Sequence, residues 1–151
     1  MRSPRQYGDR DDDMTRPHGV QIAGTILTGR TPAPGTLSVT GDGHIGGDGH
    51  RPARTLRLPA GWIAAPGFVD IQVNGFAGAE VGDDPAQIAA VAAALPRTGV
   101  TAFCPTLVTR SPAGYHRAAA ALAAVRRPVH GARIIGVYLE GPFLNPARAG
   151  A

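Results

Sequence analysis

The sequence predicts an α/β fold: three parallel strands joined by two helices, preceded by a small all-β unit. Beyond Trp62, β-branched runs spaced about 33 residues apart alternate with two stretches of helical periodicity, the spacing of successive βαβ units. Before Trp62 there are only short strands separated by turn residues. Three parallel strands can neither close into a barrel nor cover their own edges. The pattern therefore reads as the first part of a larger, incomplete fold. The expected divisions are a disordered extension over residues 1–18, a partial β unit over 19–60, and the β/α units over 61–151.

Residues 1–18 are polar and charged, with three consecutive aspartates at Asp11, Asp12 and Asp13, and cannot bury enough apolar surface to order themselves. Strands are expected at Val20–Leu27, Leu37–Thr40 and Leu56–Leu58. Between the last two, residues 41–49 carry Asp-Gly turn dipeptides around a minimal strand. This run has the flavour of a calcium loop but lacks the regular acidic spacing, so it reads as plain turns, with His44 and His50 solvated there. A β unit of roughly forty residues is too small to bury two faces and needs strands from elsewhere.

In the second part, strands are expected at Ile63–Val73, Val100–Leu107 and Ile134–Leu139. Asp84-Pro85 and Ser111-Pro112 each supply an N-cap followed by a proline at the first helical position. Ile88, Val91, Ala92 and Leu95 share one face of the first helix. Tyr115, Ala118, Ala119, Leu122 and Val125 share one face of the second. Pro96 ends the first helix ahead of Gly99, and Pro128 follows the second.

Composition excludes several classes. The single cysteine, Cys104, rules out an internal disulfide framework and fits a reducing compartment, with cytoplasm the expected location. No apolar run approaches the ~20 residues that span a bilayer, so no membrane partner is expected. All fifteen basic residues are arginine, but they are scattered and no aromatics interleave with them, which disfavours nucleic acid. Only 5% of residues are aromatic, so the core must be assembled from Ala, Val, Ile and Leu.

The candidate chemistry lies at strand tips. Glu140 ends an apolar run, and Gly141-Pro142 stops the strand directly after it. In parallel α/β folds, ligand chemistry gathers at this edge. A carboxylate there suits a metal ligand, a general base or a substrate clamp. Asp70, Gln72 and Asn74 share one strand face. The two amides can position substrate or water, whereas Asp70 reads as a structural acceptor. Cys104 lies inside its strand with no activating neighbour and reads as core. Thr106 lies nearer the tip, within reach of the site.

Together these tips, PGFVDIQVNG (66–75), GVTAFCPTL (99–107) and LEGPFLN (139–145), resemble the N-acetylglucosamine-6-phosphate deacetylase family of the amidohydrolase superfamily. The resemblance implies the start of a metal-dependent (β/α)8 TIM-type barrel beside a small β-sandwich. It implies hydrolysis of the acetamide of an amino-sugar phosphate, with one divalent metal ion, zinc being usual, activating water. Glu140 matches the family's metal-binding Glu. Gln72 and Asn74 stand where many amidohydrolases carry an H-x-H pair, which points to the single-metal branch. With Thr106 they are expected to face substrate. Ala151 matches the first of two substrate-contacting residues; the second, a histidine, would follow it. Tyr138 departs from the family's HLEGP version. The histidine ligands and the catalytic Asp would lie beyond residue 151, so no catalytic residue is expected here, and the chain alone is expected to be inactive and poorly folded. Homo-oligomerisation of a full-length form stays open. The alternatives are a dihydropyrimidinase-like or aminoacylase-like hydrolase, disfavoured by the Q-x-N pair, and a truncated binding or assembly module that pairs through its exposed edges.

Overall fold

A computed structural model describes residues 19–46, 54–125, 131–145 and 147. The expected extension over 1–18, His50, Pro128 and Ala151 lie outside the described residues. Two compact units divide between Pro66 and Gly67.

The first unit is built on β1 (Val20–Ile26). It pairs antiparallel with β2 (Ala33–Val39) on one side. On the other side it pairs parallel with β3 (Arg54–Arg57) and, further along, with β4 (Ile63–Ala64). Leu58 N–H continues the pairing by donating to Ala23 O at 2.9 Å. Gly24 permits this path, because a Cβ there would stand 2.7 Å from Leu58 Cβ. After β2, Thr40–Gly43 form a turn closed by Gly43 N–H donating to Thr40 O at 2.9 Å, and Val39 bridges Ile45. Among the described residues of this unit only Ile26 is fully buried. One sheet of this size has little core of its own.

The second unit is mixed α/β. Strand β5 (Phe68–Val73) runs into a small hairpin, β6 (Gly75–Phe76) and β7 (Ala79–Glu80). Its two-residue turn, Ala77-Gly78, has positive φ at both positions, 52° and 83°, as a mirror-image hairpin turn requires. Helix α1 (Pro85–Ala94) follows, capped by Asp84, whose carboxylate accepts from Ala86 N–H at 2.8 Å. Pro96 turns its end into a 3-10 segment, Leu95–Thr98, which Gly99 closes at φ 85°. Then come β8 (Val100–Leu107) and α2 (Pro112–Ala124), capped by the Ser111 hydroxyl accepting from Gly114 N–H. Two short strands, β9 (Arg133–Ile134) and β10 (Tyr138–Leu139), end the unit.

β8 is the centre of the sheet. β5 pairs with it on one flank, β9 and β10 on the other, and every pair is parallel. Strands adjacent in sequence are thus adjacent in space. The helix side of the sheet holds the core. Val73, Val91, Ala92, Leu95, Val100, Phe103 and Ala132 form one cluster; Val81, Leu107 and Ala118 form a second. Among the described residues Phe103 is the largest fully buried side chain. β5 and β10 are edges, and Phe68, Val69, Ile71 and Leu139 on them stay exposed. No described helix is long and apolar enough to cross a membrane.

Three expectations need correction. The strand read over Ile63–Val73 is two strands: β4 joins the first unit and β5 the second. Pro66 lacks a donor, and Gly67 faces the Thr101 side chain with no room for a Cβ. The strand read over Ile134–Leu139 is also two, because Gly136 weakens its middle. Ile135 N–H nevertheless donates to Phe103 O at 3.0 Å, so the path along β8 continues. On α2, Ala118 is buried and Tyr115 and Leu122 pack against its cluster as expected, but Ala119 is exposed, and Gly114 and Ala121 are buried as well. An alanine-rich helix offers little apolar contrast around its circumference, so packing alone decides which face turns inward.

Candidate functional site

Val73 packs under α1 in the first core cluster, so Gln72 and Asn74 project from the opposite face of β5. Glu140 follows β10, anchored by its own N–H donating to Leu107 O at 3.1 Å. Its Oε1 accepts from Asn74 Nδ2 at 3.2 Å and from Gln72 Nε2 at 3.4 Å. The structure thus brings together three of the expected site residues, at the C-terminal ends of parallel strands. All three are exposed. The Gln72 bond is long, so Asn74 is the stronger donor.

Asp70 is half-buried, and its Oδ1 accepts from the backbone N–H of Gln72 at 3.1 Å. This bond coincides with an irregularity in the β5–β8 register between Asp70 and Val73. Asp70 therefore shapes the strand that aims Gln72. Cys104 is half-buried, and a Cβ on Gly136 would lie 3.4 Å from its Sγ. Thr106 is buried, and its hydroxyl has no hydrogen-bond partner among the described residues.

Gly141 keeps the Glu140 loop in place. A Cβ there would meet Thr109 Oγ1 at 2.6 Å, so only glycine lets the chain after β10 pass over the chain after β8. Sequence reasoning missed a second feature of this end of the sheet. Asp83 accepts from Arg110 Nη1 at 2.7 Å and from Arg117 Nε at 3.0 Å. It ties the segment before α1 to the segment before α2 and to α2 itself. No motif flags such a clamp, because its partners lie 27 and 34 residues away.

Could these residues hold a metal? Among the described residues, no three His, Cys, Asp or Glu side chains come together. Glu140 offers one anionic ligand, while both amides present N–H groups to it. The donor set fits one ligand position and not a complete site.

Proteins of known identity match this chain over its larger part. The N-acetylglucosamine-6-phosphate deacetylase of Rattus norvegicus is 43% identical over 105 residues, which is 67% of this chain and 26% of the relative. The chain is homologous to the N-terminal portion of N-acetylglucosamine-6-phosphate deacetylases. A solved N-acetyl-D-glucosamine-6-phosphate deacetylase from Mycobacterium smegmatis is 28% identical, with a TM-score of 0.60 over 88% of this chain and 35% of that one. The Pasteurella multocida deacetylase superposes with a TM-score of 0.69 over 86% of this chain and 36% of that one; at 22% identity it speaks to the fold alone. No protein-family model matches. The chain spans about a quarter of the length of the curated relatives it matches. These relatives do not favour the dihydropyrimidinase-like or aminoacylase-like reading.

Proposed function

We propose that this chain is the N-terminal portion of a hydrolase that cleaves the acetamide of N-acetylglucosamine 6-phosphate to glucosamine 6-phosphate and acetate. In this reading the second unit is the start of a (β/α)8 barrel, and the first is one part of a β-sandwich that other strands complete. The consecutive order of the parallel strands supports a barrel, in which neighbours in sequence stay neighbours in space. A single unpaired cysteine fits a cytoplasmic setting.

One observation carries the reading: Glu140, Gln72 and Asn74 converge above one sheet face. Glu140 would supply one carboxylate ligand to a divalent metal, zinc being the expected ion. When bound, such an ion lowers the pKa of water and polarises an amide carbonyl. A catalytic zinc takes three protein ligands, so the described residues alone do not complete the site. Gln72 and Asn74 both donate to this carboxylate at the rim. Once Glu140 turns away, their amide groups are free to position water or a substrate oxygen. Ala151, carried over from the family pattern, would contact substrate.

The test is to read the gene beyond codon 151 and express the extended protein with zinc. A histidine at the next codon, further β/α pattern to barrel length (~250 residues) and acetate release from N-acetylglucosamine 6-phosphate are expected. The 151-residue chain alone should release none. Zinc-dependent deacetylation by the chain alone, or an extended protein that hydrolyses another amide in preference, would overturn the proposal.

A further inference from the structure

The hydrogen bonds of Glu140 cross a strand. β8 lies between β5 and β10, so the bonds to Gln72 and Asn74 pass over its face away from the helices. Alternation sets what β8 places there. Leu107 packs on Ala118 of α2, so Thr106 points the other way. Thr106 pairs with Tyr138, two residues before Glu140, and follows Pro105, the partner of Val73 beside Asn74. It therefore stands at the level of the site, on its floor. Its exposure is 1%, although the three side chains of the bridge are exposed.

Buried hydroxyls are almost always hydrogen-bonded, and one without a partner costs stability. The Thr106 hydroxyl has none among the described residues. Valine has the same shape, a strong preference for strands and no such cost. Packing alone therefore gives no reason for a hydroxyl. The rest of the floor is small: Cys104 lies beneath Gly136, which has no side chain.

We propose that Thr106 contacts substrate, and that its hydroxyl, on the floor beneath the Glu140–Gln72–Asn74 bridge, donates a hydrogen bond to the acyl oxygen of an acetamide or acetate when that bridge opens. This rests on the deacetylase reading. It adds a residue that reads the acyl group.

The experiment compares Thr106→Val and Thr106→Ser. In the extended protein without zinc the urea midpoint of the Val variant should equal or exceed that of the parent, because the hydroxyl has no hydrogen-bond partner among the described residues. A lower midpoint for Val would overturn the proposal. In the extended protein with zinc, Val should lower kcat/KM for N-acetylglucosamine 6-phosphate about tenfold or more, and Ser should restore most of it. Equal kcat/KM for Val and parent would overturn it. A parent protein without deacetylase activity would sink the functional reading instead, and the urea comparison would then decide the role of the hydroxyl.

Discussion

The side-chain nitrogen of Asn74 lies 3.2 Å from Oε1 of Glu140, across 66 residues of sequence. Gln72 joins the same oxygen, so one carboxylate draws together the two flanking strands of the sheet. In the chain without a cation, Glu140→Ala should leave both amides to solvent. Their side-chain NH2 signals in a 1H–15N spectrum should move toward random-coil positions. The unfolding free energy should fall by no more than about 1 kcal/mol, because all three groups are exposed. Unmoved amide signals would show that the bridge does not form in solution.

Gly141 controls where Glu140 sits. In Gly141→Ala the new methyl would meet Thr109 Oγ1 at 2.6 Å and Cγ2 at 2.9 Å. The β-branched Thr109 cannot swing both atoms aside, so a loss of about 1–3 kcal/mol is expected. Thr109→Ala removes both atoms and should recover a large share of the loss in a double-mutant cycle. Additive losses would place the strain elsewhere.

The local rules of the sequence located most of the second unit, and it is instructive where they failed. Asp84-Pro85 and Ser111-Pro112 mark both helix starts because a cap and a fixed φ act within four residues. Gln72, Asn74 and Glu140 were legible as strand tips facing one side, since alternation is a local property. That Glu140 reaches across β8 was not, because it depends on sheet order. The breaks at Pro66-Gly67 and at Gly136 are written in residue types but appear only as weak points, and tertiary packing decides whether a weak point becomes a break. The hairpin β6–β7 escaped notice because its strands are two residues each and Ala77 stands where Asn is the common signal. The clamp on Asp83 is purely three-dimensional.

That clamp gives a third expectation. Arg110 has a side chain only 19% exposed, and Asp83 is its ionic partner. Asp83→Ala would leave Arg110 with its bond to Val108 O alone, and Arg117 without a partner. A loss of about 1–3 kcal/mol is expected from the stranded charge. Arg117→Ala, at an exposed site, should cost less than about 1 kcal/mol. Equal effects in chemical denaturation would show that burial of Arg110 does not matter.

In the first unit, Asp42 carries a pH dependence. The Thr40 hydroxyl, and after it His44, hold its carboxyl down from the ordinary 3.8 to about 2. A carboxyl depressed in the folded state contributes stability above its unfolded pKa and loses it as pH falls through its folded pKa. The turn Thr40–His44 should therefore keep its full contribution above pH 3.8 and loosen as pH drops through about 2. A 13C titration of the Asp42 carboxyl reads this directly. Asp42→Asn should loosen the turn at neutral pH and abolish the dependence, whereas a midpoint near 3.8 would contradict the Thr40 contact.

The central proposal is that Glu140, bonded here to Asn74 and Gln72, is a metal ligand. Anomalous scattering from zinc in a crystal of the extended protein tests it most directly. The account predicts zinc within about 2.0–2.2 Å of a Glu140 oxygen, with Gln72 and Asn74 released from that carboxylate. Zinc bound elsewhere, with Glu140 still held by Asn74, would contradict it.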